Sequence, residues 1–274
     1  MLRKIASSKL LVYLAIAFMV FIFAFPIFWM VATSFKKPAD VQSMPPKWTF
    51  SPTLQNYAKA FSEEPLLQEL FNSLIIAVSS TAIVLIVALP AAYSFARYDT
   101  GGGHLLFFIL ATRMFPAVAI TVPYFMIFRT LHLIDTHVAL IACYIMFNFP
   151  FATILLYGFF KEIPKQLEQA AMIDGYSRLD VLRKIVFPLI IPGASIVAAF
   201  CLLFAWNEFL FAFLLTRDVA KTVPVGVSAF WTHRGILWGP LSAAATICIL
   251  PMMIFVIFLQ RYIVRGLTFG AVKG

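Results

Sequence analysis

Six long apolar stretches dominate the sequence, and each is long enough to cross a membrane as a helix. They occupy about residues 10–32, 71–96, 105–128, 138–160, 189–215 and 241–259, and a membrane-crossing helix needs about 20 mostly apolar residues. Only 12% of the 274 residues are charged, whereas soluble domains carry about 25%. The sequence therefore predicts an all-α membrane protein with six transmembrane helices. It excludes an ordinary soluble enzyme, a disordered chain and a secreted disulfide module.

The first stretch follows three basic residues, Arg3, Lys4 and Lys9, and so resembles a signal peptide at its start. The apolar part of a signal peptide has only about 7–15 residues and precedes a cleavage site with small residues. This stretch is longer, and Thr-Ser-Phe-Lys at 33–36 does not fit such a site. We therefore expect the first helix to be retained.

Prolines lie within or near several of these stretches, where they predict kinked or broken helices. In lipid, broken helices persist only where neighbouring helices or a wet cavity satisfy the backbone. The spans are therefore expected to pack as a bundle. The prolines concerned are Pro26, Pro90, Pro116, Pro123, Pro150 and Pro251.

The basic residues are divided unequally between the two ends of the spans. Assigned to alternate sides, 12 of the 21 Lys and Arg residues share the side of both termini, 8 lie on the other side, and Arg113 lies inside the third span. The positive-inside rule places the richer side in the cytoplasm. We expect a multi-pass protein of the cytoplasmic (inner) membrane of a bacterium, with cytoplasmic N- and C-termini.

The loop at about 161–187 predicts two short helices joined by a glycine corner. Pro164 suits the start of a helix, after which Leu167, Ala170 and Ala171 fall on one face. Gly175 suits the left-handed position beyond the end of that helix, and Ser177 with Asp180 has the spacing of a capping box. Such a hairpin could rest on lipid headgroups or dock a soluble partner, and periodicity alone leaves both open.

This loop resembles the EAA loop in permease subunits of binding-protein-dependent ABC importers. That pattern is Glu-Ala-Ala, then Gly, Ile and Pro at fixed intervals. Gln169-Ala170-Ala171, Asp174-Gly175, Ile185 and Pro188 match its spacing. The departure is Gln169 where the family usually has Glu. Glu168 is one residue earlier and would point about 100° away on a helix.

Further segments resemble the carbohydrate-uptake branch of that family. They are Thr-Ser-Phe-Lys at 33–36, Leu-Gln-Asn-Tyr at 54–57, Asn72-Ser73, Trp-Asn-Glu-Phe at 206–209 and the tail 260–274, which is similar to the smaller permease of maltose-type transporters. The resemblance implies the type I ABC importer permease fold. It also implies a first helix and extracytoplasmic loop at 1–67, a permease core at 68–260 that contains the loop 161–187, and a cytoplasmic tail at 261–274.

The resemblance also implies the partners and the residues that meet them. Residues Gln169, Ala170, Ala171, Asp174 and Gly175 would couple to an ATPase, and Gly266, Gly270 and Lys273 of the tail would lie at the ATPase interface. A second permease subunit would complete a heterodimer, two ATPase subunits would bind ATP and Mg²⁺, and an extracytoplasmic solute-binding protein would deliver a sugar. This chain has no G-x-x-x-x-G-K-[ST] motif for binding ATP. We expect it to bind no cofactor and no metal. We also expect it to contact lipid but not nucleic acid.

Two ionisable residues, Arg113 and Glu208, lie inside the apolar stretches. Such residues usually face a bundle interior or a cavity, and with Asn148 and Asn207 they are candidates for the translocation path. They could instead pair with each other or satisfy broken backbone near Pro116. His132, Asp135 and His137 lie close together in one loop, where a wet turn is favoured over a metal site.

Three other functions compete with a sugar importer. A membrane enzyme would need a nucleophile with its base, or metal ligands such as H-E-x-x-H, and neither pattern is present. A secondary transporter usually shows internal repeats and several buried charges. A peptide or amino-acid ABC importer is the nearest alternative, because the sugar assignment rests on the segments that resemble the carbohydrate branch. We expect a transport subunit rather than an enzyme.

Overall fold

The computed structural model describes residues 2–233 and 235–269, which are mostly helical. The helices are α1 Leu2–Ser34, α2 Pro38–Val41, α3 Gln55–Glu63, α4 Leu66–Tyr98, α5 Gly102–Arg113, α6 Ala117–Thr130, α7 His137–Glu162, α8 Lys165–Ile173, α9 Arg178–Val181, α10 Phe187–Trp206, α11 Leu210–Leu215, α12 Val223–Ser228 and α13 Trp238–Phe269. A π-helical turn, Leu182–Val186, joins α9 to α10. Two short antiparallel strands, β1 Trp231–Thr232 and β2 Gly235–Ile236, pair Trp231 with Ile236.

Five stretches of helix in the described chain are long and apolar enough to span a membrane. They are Leu11–Ser34, Leu66–Tyr98, His137–Glu162, Arg178–Trp206 and Trp238–Phe258. The helices α5 and α6 make a sixth span only as a pair, bent by 88° at the break between them. The six predicted spans are thus present if the bent pair is counted as the third.

The predicted third span, 105–128, is interrupted at one of its two prolines, as the sequence indicated. Proline lacks the backbone N–H and restricts the residue before it to extended conformations. Pro116 accordingly precedes α6 with φ −58° and ψ 125°, and the chain changes direction there. The fifth span begins and ends earlier than the predicted 189–215: it covers Arg178–Trp206, because α10 ends at Trp206 and a separate helix, α11, begins at Leu210. By contrast, Pro90 and Pro150 lie inside α4 and α7.

The chain forms two compact units. One contains the chain up to Leu67 together with Gly226–Leu250, and the other contains Gln68–Val225 together with the chain from Pro251 onward. In the larger unit α7 packs against both α5 and α10. Its apolar core has two buried clusters, one around Tyr144, Trp206 and Phe211, and another around Phe160 and Val197.

In the smaller unit, two of the segments that resemble the carbohydrate branch dock onto each other. The Asn56 side-chain amide donates hydrogen bonds to the backbone oxygens of Ser34 and Lys36, at 2.9 and 2.7 Å. The hydroxyls of Ser34 and Tyr57 are 2.8 Å apart. A Cβ atom at Gly239 would lie 2.3 Å from the Asn56 side chain, so only glycine fits there. Residues 33–36 and 54–57 are therefore one structural feature at the end of α1.

Candidate functional site

The helix α8 begins and ends as the sequence predicts. Pro164 is its N-cap residue, with φ −60° and ψ 127°. At its other end Gly175 has φ +89°, a left-handed conformation that glycine adopts without a Cβ penalty. The Gly175 and Tyr176 N–H groups donate to the backbone oxygens of Met172 and Ala171, which satisfies carbonyls at the helix end.

The Glu168 carboxylate fixes α8 to the Tyr98 end of α4. Arg97 Nε donates to Glu168 Oε1 at 2.5 Å, and Tyr93 Oη donates to Glu168 Oε2 at 2.8 Å. Arg97 also donates to the backbone oxygen of Ile163 at 2.9 Å. The Arg97 and Glu168 side chains are only 5% and 8% exposed. A buried charge pair of this kind stays favourable only while both partners and their hydrogen bonds are present.

The buried face of α8 differs from the predicted one. Ala171 is buried and packs with the apolar cluster of Phe160, but its companion on that face is Glu168. Leu167 and Ala170, which were expected to share the face of Ala171, are exposed. The apolar periodicity predicted the wrong buried face of α8, because the polar Glu168 is buried against two polar partners inside the protein. Sequence analysis missed Arg97 and Tyr93. The pattern that could have identified them is a basic and a phenolic side chain at the end of a predicted span.

The exposed side of α8 and the turn after it is unusually apolar. Ile173 is 85% exposed and Leu179 is 55% exposed, and Leu167, Met172 and Tyr176 are also exposed. Exposed apolar groups in a cluster commonly mark a protein or membrane contact.

The residues predicted to couple to an ATPase are placed around this side. Gln169, Ala170, Asp174 and Gly175 are exposed, whereas Ala171 faces its own chain. Gln169 also lines a cavity of about 150 Å³ beside Arg97 and Glu168. Of the predicted tail residues, Gly266 lies within α13, and Gly270 and Lys273 lie outside the described residues.

The second half of the loop has the predicted cap and an unpredicted turn. Ser177 Oγ accepts a hydrogen bond from the Asp180 N–H at 3.2 Å and donates to Asp180 Oδ2 at 2.5 Å. The apolar residues Val181 and Val186 of this half are buried. Between them the chain is π-helical, and the Phe187 N–H donates to the oxygen of Leu182.

A cavity of about 360 Å³ brings together three of the four polar residues proposed for the translocation path. Arg113, Asn148 and Glu208 line it. Their neighbours in the cavity wall are mainly aromatic, with Phe115, Tyr144, Phe147, Phe204 and Phe211. Asn207 is not among the lining residues; it is exposed and donates to the oxygen of Leu203 at 2.8 Å.

Arg113 and Glu208 share this cavity, but within the described chain they form no ion pair with each other. Arg113 donates to the backbone oxygen of Phe147 at 2.6 Å, and its guanidinium lies 5.0 and 5.2 Å from the ring centres of Phe151 and Phe204. Glu208 accepts from the N–H groups of Phe211 and Ala212 at 2.9 and 3.1 Å. Glu208 therefore caps α11, and the Arg113 charge is held by one carbonyl and two aromatic faces.

The loop before α7 is fixed by the carboxylate of Asp135. Its carboxylate accepts hydrogen bonds from four consecutive backbone N–H groups, of Arg217, Asp218, Val219 and Ala220, at 3.0 to 3.2 Å. Burial alone would raise the pKa of Asp135, but these bonds hold it below its ordinary value of 3.8. His137 Nε2 lies 2.7 Å from Asn72 Oδ1. No group of three metal-binding side chains exists among the described residues.

Comparison with known sequences identifies close relatives over the whole length. The model of the family of binding-protein-dependent transport system inner membrane components matches residues 85–269. A probable ABC transporter permease of Sinorhizobium fredii is 39% identical over 97% of this chain and 96% of its own length. The sulfoquinovosyl glycerol transport system permease of Agrobacterium fabrum is 37% identical over 100% and 97%. The trehalose/maltose transport system permease of Thermococcus litoralis is 35% identical over 100% of both.

Solved structures show the same fold. A chain of a bacterial ABC transporter involved in the import of the acidic polysaccharide alginate has a TM-score of 0.75 to this chain, at 21% identity, over 95% of this chain and 98% of its own. A chain of the MetNI methionine ABC transporter has a TM-score of 0.60 at 16% identity, over 73% and 95%. These likenesses confirm the predicted type I ABC importer permease fold.

Proposed function

The chain belongs to the family of binding-protein-dependent transport system inner membrane components, and we propose that it is the permease through which an ATP-driven importer moves a sugar or sugar derivative. The two relatives described above whose names state a cargo carry sulfoquinovosyl glycerol and trehalose or maltose. Those names support a sugar over the alternative of a peptide or amino acid. The chain is a multi-pass membrane protein and a transport subunit, not an enzyme.

The observation that carries the coupling part of this proposal is the geometry of α8. One face is fixed to α4 through Glu168 and Arg97, and the opposite side exposes apolar groups around Ile173. A short helix that is rigidly held and apolar outside can transmit a displacement of its partner into the span. We propose that this side docks an ATPase subunit, and that ATP and Mg²⁺ bind to that subunit rather than to this chain.

The remaining partners follow from the family. The family description refers to a binding-protein-dependent transport system, which supports a binding protein as a partner. More specifically, we propose that the chain forms a heterodimer with a second permease subunit. Two ATPase subunits and an extracytoplasmic binding protein complete the importer, which lies in the cytoplasmic membrane of a bacterium. In this arrangement the cavity of Arg113, Asn148 and Glu208 belongs to the path of the cargo, since it offers hydrogen-bonding groups beside aromatic faces that suit a sugar.

The docking proposal is tested by placing a charge on the exposed side of α8. Ile173→Asp should prevent the ATPase from co-purifying with the permease and should abolish uptake in proteoliposomes, because a charge would be buried without a partner. Leu54→Asp is the matched control: Leu54 is 67% exposed, and it belongs to the segment before α3 and not to the 161–187 loop. Normal ATPase recovery and uptake with Ile173→Asp would contradict the docking site.

The cargo path is tested at Arg113. Replacing Arg113 by Gln should reduce uptake by about tenfold or more, since a hydrogen bond from a charged group is worth about 1.5–3 kcal/mol. ATPase recovery should stay normal, because α8 is untouched. Uptake of a panel of neutral and anionic sugars, each first matched to the binding protein by calorimetry, would identify the cargo. Unchanged uptake of the matched sugar would remove Arg113 from the path.

A further inference from the structure

Two adjoining cavities open around Lys36, just beyond the end of the first membrane-spanning helix. One, of about 410 Å³, is lined mainly by apolar residues of α1 and α13, including Pro26, Met30, Leu241 and Ala245. The other, of about 590 Å³, is lined mainly by the segment after α1, including Gln42 and Ser43. Both cavities share Trp29, Lys36, Val41 and Trp238 in their walls. Lys36 thus lies where an apolar cavity meets a second one whose wall also carries the polar side chains of Asp40, Gln42 and Ser43.

The Lys36 side chain is almost fully covered by the protein, its residue lines both cavities, and its ammonium makes no hydrogen bond or ion pair within residues 2–233 and 235–269. The residue is only 2% exposed. Its Nζ atom lies 3.9 Å from the centre of the Trp29 ring and 5.3 Å from that of Phe50. The nearby Asp40 carboxylate is bound instead to Lys47, at 2.5 Å. A lysine ammonium has three N–H donors, and aromatic faces alone leave those donors unsatisfied.

This arrangement favours an anion in the cavity. A buried charge without a partner is costly, and burial lowers the pKa of Lys36 below its ordinary value of 10.5, although Asp40 offsets part of that shift. An anion beside the ammonium would stabilise the charged form. Phosphate, carboxylate and sulfonate groups all have the required charge and acceptor atoms.

The position of the cavities relative to the membrane selects among these anions. The first membrane-spanning segment ends at Ser34 and the last begins at Trp238, so Lys36 lies at the level of the membrane surface. Tryptophans collect at this level, and Trp48 packs on Trp29 with ring centres 5.0 Å apart. The apolar cavity extends from this level along α1 and α13 toward the hydrocarbon, as an acyl chain would.

We propose that these cavities form a binding site for an anionic phospholipid, with its phosphate on Lys36 and one acyl chain along the apolar cavity. The polar cavity, with Gln42 and Ser43, takes the headgroup. Inorganic phosphate shares the same anion chemistry, but it leaves the apolar cavity unused. The site shares no residue with α8 or with the cavity of Arg113, so it does not depend on the proposed cargo.

The proposal is tested by native mass spectrometry of the full-length protein released from nanodiscs of phosphatidylglycerol and phosphatidylcholine. The wild type should retain phosphatidylglycerol in preference to phosphatidylcholine, and Lys36→Gln should weaken the tightest phosphatidylglycerol site by about tenfold, as loss of a charge-assisted contact does. Lys36→Arg should keep the site. Lys37→Gln is the matched control, because Lys37 is the next residue and is exposed.

Ala245→Leu narrows the apolar cavity and leaves the cation in place, so it should also weaken phosphatidylglycerol retention. This variant keeps the test decisive if Lys36→Gln folds poorly. Equal retention of phosphatidylglycerol by wild type and Lys36→Gln would overturn the proposal. So would full displacement of the lipid by millimolar inorganic phosphate, which would identify a simple anion site. A loss of binding-protein affinity in Lys36→Gln with lipid retention unchanged would assign Lys36 to the binding protein instead.

Discussion

At the scale of single residues, the carboxylate of Glu168 is the most consequential group in the 161–187 loop. Replacing Glu168 by Gln should destabilise the protein by about 3 kcal/mol, because the Arg97 charge would remain buried without its partner. Uptake per folded transporter should also fall, since α8 would lose its fixed position. Thermal unfolding in detergent and uptake in proteoliposomes measure the two effects separately.

The control for Glu168 is an exposed pair in the same loop. Asp180 lies 3.0 Å from Lys184, with side chains 42% and 60% exposed. Because exposed pairs contribute little to stability, Asp180→Asn should leave the unfolding temperature nearly unchanged.

The double variant Arg97→Met with Glu168→Leu separates the effect on stability from the effect on the position of α8. An apolar pair should restore the unfolding temperature while uptake stays low. Normal uptake in Glu168→Gln would show that the pair does not position α8 for transport.

The lowered pKa of Asp135 predicts how the stability of the folded protein depends on pH. Because its pKa is lowered in the folded protein, its contribution to stability is present above the ordinary value of 3.8 and is lost as the pH falls below it. Asp135→Asn should therefore lower stability at neutral pH by about 2 kcal/mol, the value of hydrogen bonds to a charged group. The difference in unfolding temperature between wild type and variant should shrink below about pH 4.

The control for this pH dependence is Asp218→Asn, which changes an exposed side chain in the segment that binds Asp135. It should leave the unfolding temperature unchanged at every pH. If the wild type and Asp135→Asn differ by the same amount at pH 3 and pH 7, the ionised carboxylate does not hold the loop.

At the scale of elements, the end of α8 depends on one left-handed residue. Gly175→Val should lower uptake more than Gly175→Asn, because β-branched residues adopt positive φ poorly and Asn tolerates it. A Cβ atom at Gly175 meets nothing within 4 Å, so the effect comes from the backbone, at about 1–2 kcal/mol. Gly158→Ala is the control: Gly158 also has open space around it but lies inside α7. Equal uptake by the two Gly175 variants would contradict a conformational role.

The elements that sequence analysis located well are those fixed by local chemistry. Pro164, Gly175 and the Ser177–Asp180 box set the ends of α8 and α9 within a few residues of themselves. An interruption at Pro116 was predicted, but its angle of 88° was not, because the angle depends on what packs against α5 and α6. The partners of Glu168 could not be found, because Arg97 lies 71 residues away in the chain. For the same reason the sequence could not show that Arg113 and Glu208 share a cavity without pairing.

At the scale of the whole molecule, the distribution of basic residues makes a prediction about sidedness. After Cys143, Cys201 and Cys248 are replaced by Ala, Leu54→Cys and Ile173→Cys offer two exposed thiols. In cells that lack the partner subunits, a membrane-impermeant maleimide added outside should label Leu54→Cys only. Inside-out vesicles should show the reverse, because the positive-inside rule places the 161–187 loop in the cytoplasm. Labelling of Ile173→Cys from outside would invert the topology.

The π-helical turn at Leu182–Val186 links the number of residues in this loop to the rotation of the helices on either side of it. A π turn closes its hydrogen bond one residue later than an α turn, so it holds one residue more while the helix continues into α10. Each residue of an α-helix turns the chain by about 100°. Because the π turn holds its extra residue within about one helical turn, deleting a single residue here would restore a regular α-helix and leave the segments on either side close to their present rotation. A one-residue deletion inside α8 would instead turn the residues beyond it by about 100°. Within the interval from Gly175 to Pro188, the π turn is therefore where we expect a one-residue deletion to be tolerated best.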